Sequence, residues 1–119
     1  MGDVSYFSKI YVFTGFVDFR KQSYGLSVLV KEHFELKPFE PKSLFVFTNR
    51  HKKSIKMLYW DMTGFALWVK TLETERFKWP KPSSGQKVTL SPKELRWLIE
   101  GVDLQKIKMH QPDWSRYQL

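Results

Sequence analysis

Apolar residues along this chain fall mostly into short alternating or clustered runs, and stretch into a three- and four-residue rhythm at a few places only. Residues 9–14, KIYVFT, are β-branched and aromatic and predict a strand that breaks at Thr14-Gly15. From Asp18 onward, Leu26, Leu29, Val30 and Phe34 share one face of a predicted helix. Asp18 is its expected N-cap, accepting from the N–H of Arg20 or Lys21, and Pro38 bars continuation beyond Leu36. Gly25 inside it costs about 1 kcal/mol relative to alanine, which points to close packing.

Residues 43–48 and 55–60 are two apolar runs joined by the polar stretch 49–54, and read as an antiparallel hairpin with a long, mobile connection. In the second run Ile55, Met57 and Tyr59 alternate with Lys56, Leu58 and Trp60, giving one apolar and one amphipathic face. Residues 64–73 place Phe65, Trp68, Val69 and Leu72 on a helical face and are assigned as helix; the rival is a strand returning through the turn-like Asp61-Met62-Thr63-Gly64. Residues 76–79 predict a short strand stopped by Pro80, residues 81–86 a loop, and residues 88–90 a last strand. Ser91-Pro92-Lys93-Glu94 is a capping box with proline at the first helical position, ahead of Leu95, Leu98 and Ile99, and Gly101 ends that helix. The expected architecture is α+β: a small single domain over residues 1–110, mainly an antiparallel sheet of about four to five strands with two to three helices packed on it. Residues 111–119, with Pro112, Trp114 and Tyr117, form a C-terminal tail.

Composition supports one packed domain. The chain has 119 residues, 42% of them hydrophobic and 17% aromatic, enough for a single core and too few for two. Twenty Lys and Arg against 12 Asp and Glu leave a net charge of +8, which favours a polyanionic partner. The absence of cysteine excludes disulfides, thiolate nucleophiles and cysteine-based zinc sites. The N-terminal residues lack a secretory signal pattern and no apolar run approaches the ~20 residues of a membrane span, so the expected location is the cytoplasm, without a membrane partner.

Little in the sequence carries catalytic chemistry. His33, His51 and His110 are too far apart to share a hairpin or a helix turn, and no metal or cofactor is expected. Asp18, Asp61 and Asp103 are the candidates for a nuclease-type metal cluster, yet a cap, a turn and a helix end account for them. No nucleophile elbow, phosphate loop or dinucleotide fingerprint occurs. What remains is positive charge: Arg50, Lys52, Lys53 and Lys56 in one acid-free stretch, Arg76, Lys78, Lys81 and Lys87 in another, and Arg20-Lys21. Such side chains neutralise phosphates, and Tyr59 or Trp79 would stack on an unpaired base.

Four ordered blocks carry a family resemblance: GFVDFRKQSYGL at 15–26, LFVFTNR at 44–50, KMLYWDMTGFALWVKTLE at 56–73 and RFKWP at 76–80. The chain resembles the accessory protein labelled TnpB, or the second open reading frame, of bacterial insertion sequences of the sixty-six type. The matching positions are Asp18, Arg20, Lys21, Asn49, Arg50 and Asp61 among polar residues, and Tyr59, Trp60, Gly64, Phe65, Trp68, Phe77 and Trp79 among apolar ones and glycine. The chain departs where relatives often carry glycine or aspartate in the hairpin loop and glycine after the YWD aspartate; here stand His51, Lys52, Lys53 and Met62. The resemblance implies a non-catalytic accessory factor for transposition, encoded beside a separate transposase. Its expected partners are DNA at the transposon ends, through Arg20, Lys21, Arg50, Lys52, Lys53, Lys56, Arg76 and Lys78, and the transposase itself. The alternatives are a transposase-docking subunit without DNA contact, through exposed aromatics or residues 114–117, and a metal-dependent nuclease using Asp18 and Asp61.

Overall fold

Alternating apolar positions assemble a five-stranded mixed sheet, seen in a computed structural model that describes residues 3–81 and 86–104. The strands are β1 (Lys9–Phe13), β2 (Ser43–Thr48), β3 (Ser54–Asp61), β4 (Gly64–Thr71) and β5 (Lys87–Leu90), in spatial order β4-β3-β2-β1-β5. Every neighbouring pair is antiparallel except β1 and β2. Two parallel strands need a crossover to bring the chain back to its starting end. Helix α1 (Ser23–Glu32) supplies it.

Because side chains alternate along a strand, the central sheet feeds two cores. Phe13, Phe45, Phe47 and Leu58 point to one face and are covered by Leu26 and Val30 of α1. Ile10, Val12, Leu44, Val46, Ile55 and Met57 point to the other. There they meet Leu95 and Leu98 of helix α2 (Pro92–Ile99), Val4 of a 3₁₀ turn at Val4–Tyr6, and Phe77 and Trp79. All six residues of β2 are buried, as expected for a central strand covered on both sides. The expected α+β class, the 43–60 hairpin and the capping-box helix all match this architecture. The Ser91 hydroxyl accepts from the Glu94 N–H at 3.1 Å while the Glu94 carboxylate accepts from the Ser91 N–H at 2.9 Å. Gly101, at φ +89°, closes α2: its N–H reaches the Leu98 carbonyl and the Val102 N–H that of Trp97.

Three assignments change. Residues 64–73 are not helical; Gly64–Thr71 pairs with β3 along its whole length, Ser54 opposite Thr71 through Asp61 opposite Gly64. The helix-like spacing of Phe65, Trp68, Val69 and Leu72 is a coincidence of a strand with apolar residues on both faces, a pattern that periodicity cannot separate from a helix. Asp18 does not cap α1, whose N-cap is Gln22; it does accept from the Arg20 N–H at 2.9 Å, but in a turn ahead of the helix. Residues 76–79 lie in irregular extended chain rather than a strand. Gly25 follows the packing argument, since a Cβ there would come within 3.3 Å of the Lys21 side chain.

The β3–β4 turn puts Met62 at φ 51°, a left-handed conformation that costs an L-residue with a side chain roughly 1–2 kcal/mol. Met62 is also 86% exposed, so its side chain recovers little by packing. Met62→Gly is therefore expected to raise the stability of the domain by about 1 kcal/mol, read as a higher urea midpoint at unchanged slope.

Candidate nucleic-acid interface

Strand polarity decides where the basic residues go. The sheet end at which β1, β2 and β4 finish and β3 and β5 begin gathers residues 14–22, 49–53, 72–78 and 86–87. These carry Arg20, Lys21, Arg50, Lys52, Lys53, Arg76, Lys78 and Lys87. Three of the segments are stitched together through their backbones. The Val17 N–H donates to the Thr48 carbonyl at 3.0 Å, the Leu72 N–H to Lys53 at 2.8 Å and the Phe77 N–H to Lys52 at 2.8 Å. The carboxylates of this end are Asp18, Glu73 and Glu75. At the opposite end Lys9 pairs with Glu40 and Arg96 with Asp3, each at 3.3 Å.

The 49–53 connection, whose length predicts a mobile loop, carries hydrogen bonds of its own. Asn49 lies half-buried and its side-chain oxygen accepts from the N–H groups of Lys53 at 3.0 Å and Ser54 at 3.2 Å. Lys52 donates its own N–H back to the Asn49 carbonyl, and occupies a left-handed conformation at φ 59°. A lysine at a backbone position that suits glycine is disfavoured locally; it puts a cation at the tip of the loop. Arg50, His51 and Lys52 are all exposed, and among the described residues Arg50, Lys52 and Lys53 form no ion pair.

The 76–79 segment achieves the same result by alternation. Phe77 and Trp79 are buried on the α2 side of the sheet, and the Trp79 indole N–H donates to the Phe13 carbonyl at 2.7 Å. Arg76 and Lys78, between and beside them, are therefore turned outward and exposed. Trp79 is in consequence not the stacking platform that its basic neighbours suggested. Tyr59 is half-buried on the same core, with its ring edge-on to Phe7 at 5.1 Å.

Lys56 is removed from the expected contact set. It is 5% exposed, its ammonium donates to the carbonyls of Phe19 at 2.8 Å and Lys21 at 2.9 Å, and it lies 4.5 Å from the centre of the Phe19 ring. Burial lowers its pKa, which is the cost of holding a cation there. The sequence places this lysine in the same acid-free stretch as Lys52 and Lys53; the pleat of β3, which turns it towards the 14–22 segment, is what buries it. Its role is to hold the segment that presents Arg20 and Lys21. Arg20 is in turn gripped by Asp18, whose carboxylate accepts from Nε at 3.0 and 3.1 Å and from Nη2 at 2.6 Å. These hydrogen bonds hold the Asp18 carboxyl well below the usual carboxylate range and raise the pKa of Arg20.

Asp18 and Asp61, the pair considered for metal-dependent cleavage, are at opposite ends of the sheet. Asp61 closes β3 against Gly64, five residues and roughly 17 Å of strand rise beyond Lys56. Among the described residues no three acidic or histidine side chains are grouped to hold a metal ion.

The blocks that build this end, the VDFRK turn, the TNR loop and the RFKWP segment, all lie within the part of the chain that matches a known family. The family described as IS66 Orf2 like protein matches residues 8–109. The chain belongs to this family. Two proteins of Sinorhizobium fredii are similar to it: Uncharacterized protein y4hO is 33% identical over 95 residues, covering 80% of this chain and 81% of the relative. Uncharacterized protein y4jC is 33% identical over 100 residues, covering 84% of each. No solved structure matches. As an IS66 Orf2-like protein, the chain is an accessory protein of an insertion sequence. Several residues of the blocks described above have distinct tasks in the structure: Asn49 shapes the basic loop, Phe77 and Trp79 anchor the segment carrying Arg76 and Lys78, and Asp18 grips Arg20. Trp68 packs on the α2-side core, while Trp60 and Phe65 pair across β3 and β4 at the far end. No helix among the described residues is long and apolar enough to cross a membrane.

Proposed function

We propose that this IS66 Orf2-like protein is a non-catalytic DNA-binding factor of transposition that engages the ends of its element through the basic end of the sheet, in the cytoplasm. The observation that carries the reading is the convergence of Arg20, Lys21, Arg50, Lys52, Lys53, Arg76 and Lys78 on one end, where among the described residues Arg20 alone of the seven is in an ion pair. Exposed lysines and arginines held on ordered loops release counterions from DNA when they meet its phosphates. An anisotropy titration with transposon-end duplex tests this. For about six phosphate contacts, affinity falls roughly a thousandfold between 50 and 200 mM salt. Replacing Arg50, Lys52 and Lys53 together by alanine flattens the log–log salt slope by roughly 3 and leaves the fold intact. Salt-insensitive binding, or an unchanged slope in the triple variant, would sink the proposal.

A second reading, docking on the transposase, is favoured by a separate feature. Phe39, Trp60 and Phe65 form a triangle of rings with centroids 5.0 to 5.3 Å apart at the opposite end of the sheet, and Phe39 is 57% exposed. Exposed clustered aromatics of this kind suit a protein partner. Co-purification with the transposase from nuclease-treated lysate separates the two: binding that survives loss of DNA supports the aromatic surface as a direct contact. The 114–117 segment considered for the same role lies outside the described residues.

A further inference from the structure

Arg20 differs from the other cations of the basic end in being locked. Its side chain is highly exposed, at 91%, so packing does not hold it. Asp18 does, through the side-on edge of the guanidinium, Nε and Nη2. The backbone beneath is equally constrained: the carbonyls on either side of Arg20, those of Phe19 and Lys21, both accept from the single buried ammonium of Lys56. The Arg20 N–H donates to the Asp18 carboxylate and the Lys21 N–H to the Asp18 carbonyl at 3.0 Å. What this leaves is the end-on edge of the guanidinium, with Nη1 and the second hydrogen of Nη2, projecting from a turn that cannot easily yield.

The geometry points to Arg20 as a base-reading residue that donates end-on to O6 and N7 of guanine in the major groove, a role that rests on DNA binding at the basic end. The charge balance decides between this and a phosphate contact. An anion approaching Arg20 also meets the Asp18 carboxylate a few ångströms behind it, so much of the attraction is cancelled. Guanine O6 and N7 are neutral acceptors and bear no such repulsion, while their spacing matches the two parallel N–H bonds of an end-on guanidinium. Fixing the fork before binding also removes the rotamer entropy that a free arginine loses on docking. Asp18 acts through Arg20 and is a positioning residue; Lys56 positions the turn. Arg50 and Arg76, exposed and without an ion pair among the described residues, are left to the phosphates.

The test is selection from a short duplex pool randomised at its centre, followed by titration of the enriched duplex with and without 7-deazaguanine, which lacks the N7 acceptor. The wild-type chain is expected to enrich guanine at a fixed position and to lose roughly 5- to 100-fold in affinity on 7-deaza substitution there. Arg20→Lys keeps the charge and most of the non-specific affinity but loses the enrichment, because an ammonium has no planar fork. Asp18→Asn binds all duplexes more tightly, having lost a negative charge, and discriminates less. Retention of DNA with no base preference, or a preference unchanged in Arg20→Lys, overturns the assignment of Arg20 while leaving the DNA-binding reading in place. Failure of the wild-type chain to retain any duplex at low salt overturns both.

Discussion

Trp79→Ala is expected to lose about 3–5 kcal/mol of stability, enough to leave a domain of this size substantially unfolded. The indole is 7% exposed in the core formed with Ile10, Val12 and Leu95, and the surrounding strands cannot collapse into the space it leaves. Trp79→Phe isolates the polar part of the effect. A phenyl ring fills most of the volume but removes the N–H that the Phe13 carbonyl accepts at 2.7 Å, orphaning a buried acceptor at a cost of about 1–3 kcal/mol. Urea denaturation followed by far-UV circular dichroism measures both. Because Trp79 also anchors the segment that carries Arg76 and Lys78, the phenylalanine variant should weaken DNA binding at a protein concentration and temperature where it remains folded. A tryptophan whose loss left stability unchanged would contradict its placement in the core.

Lys56→Met gives the second large effect. Methionine matches the length of the lysine stem and sits comfortably beside Leu58 and Phe19, so little volume is lost. The carbonyls of Phe19 and Lys21, however, lose the ammonium that joins them. Hydrogen bonds to a charged donor are worth about 1.5–3 kcal/mol each, and relief of the ammonium's desolvation offsets part of the sum. The net expectation is a loss of about 1–3 kcal/mol together with release of the 14–22 turn, seen as faster amide exchange at Arg20 and Lys21. Lys52→Met on the exposed loop, and Lys53→Met at its half-buried end, where the ammonium makes only a long 3.4 Å contact to the Glu73 carbonyl, should each change stability by less than about 0.5 kcal/mol. Comparing the three separates a lysine that serves the fold from two that serve the surface. It also means that a variant meant to test the surface charge alone must leave Lys56 in place.

Much of the fold was legible in local chemistry. Ser91, Pro92 and Glu94 announce a helix start because each satisfies a specific need of the first turn, and Gly101 announces its end because a positive φ is required there. The 43–60 hairpin was legible because two apolar runs flank a polar connection and one of them alternates. Residues 64–71 were not, because β4 carries apolar groups on both faces and its Phe65, Trp68 and Val69 satisfy a helical spacing as well as a strand. The choice is made by the eight-residue pairing with β3, an interaction between segments that no window along the chain contains. Asp18 misleads for a related reason: its carboxylate makes the local hydrogen bond expected of a cap, but the helix starts at Ser23, four residues later than a cap at Asp18 requires.

The basic site divides in the same way. Its charge belongs to the sequence: an excess of cations, two acid-free stretches and the ordered VDFRK, TNR and RFKWP blocks are readable before any fold is known. Which cations lie at the same end of the sheet belongs to the tertiary structure. Residues 20, 50 and 76 are far apart along the chain and meet because β1, β2 and β4 all finish at one end of the sheet, a consequence of strand order and direction. The same arrangement buries Lys56 and Trp79, turns Arg76 and Lys78 outward and braces Arg20 between Asp18 and Lys56. Residue type sets the charge a chain carries. Pairing between distant strands sets where that charge faces solvent, because the pleat and the sheet end are properties of the assembled structure.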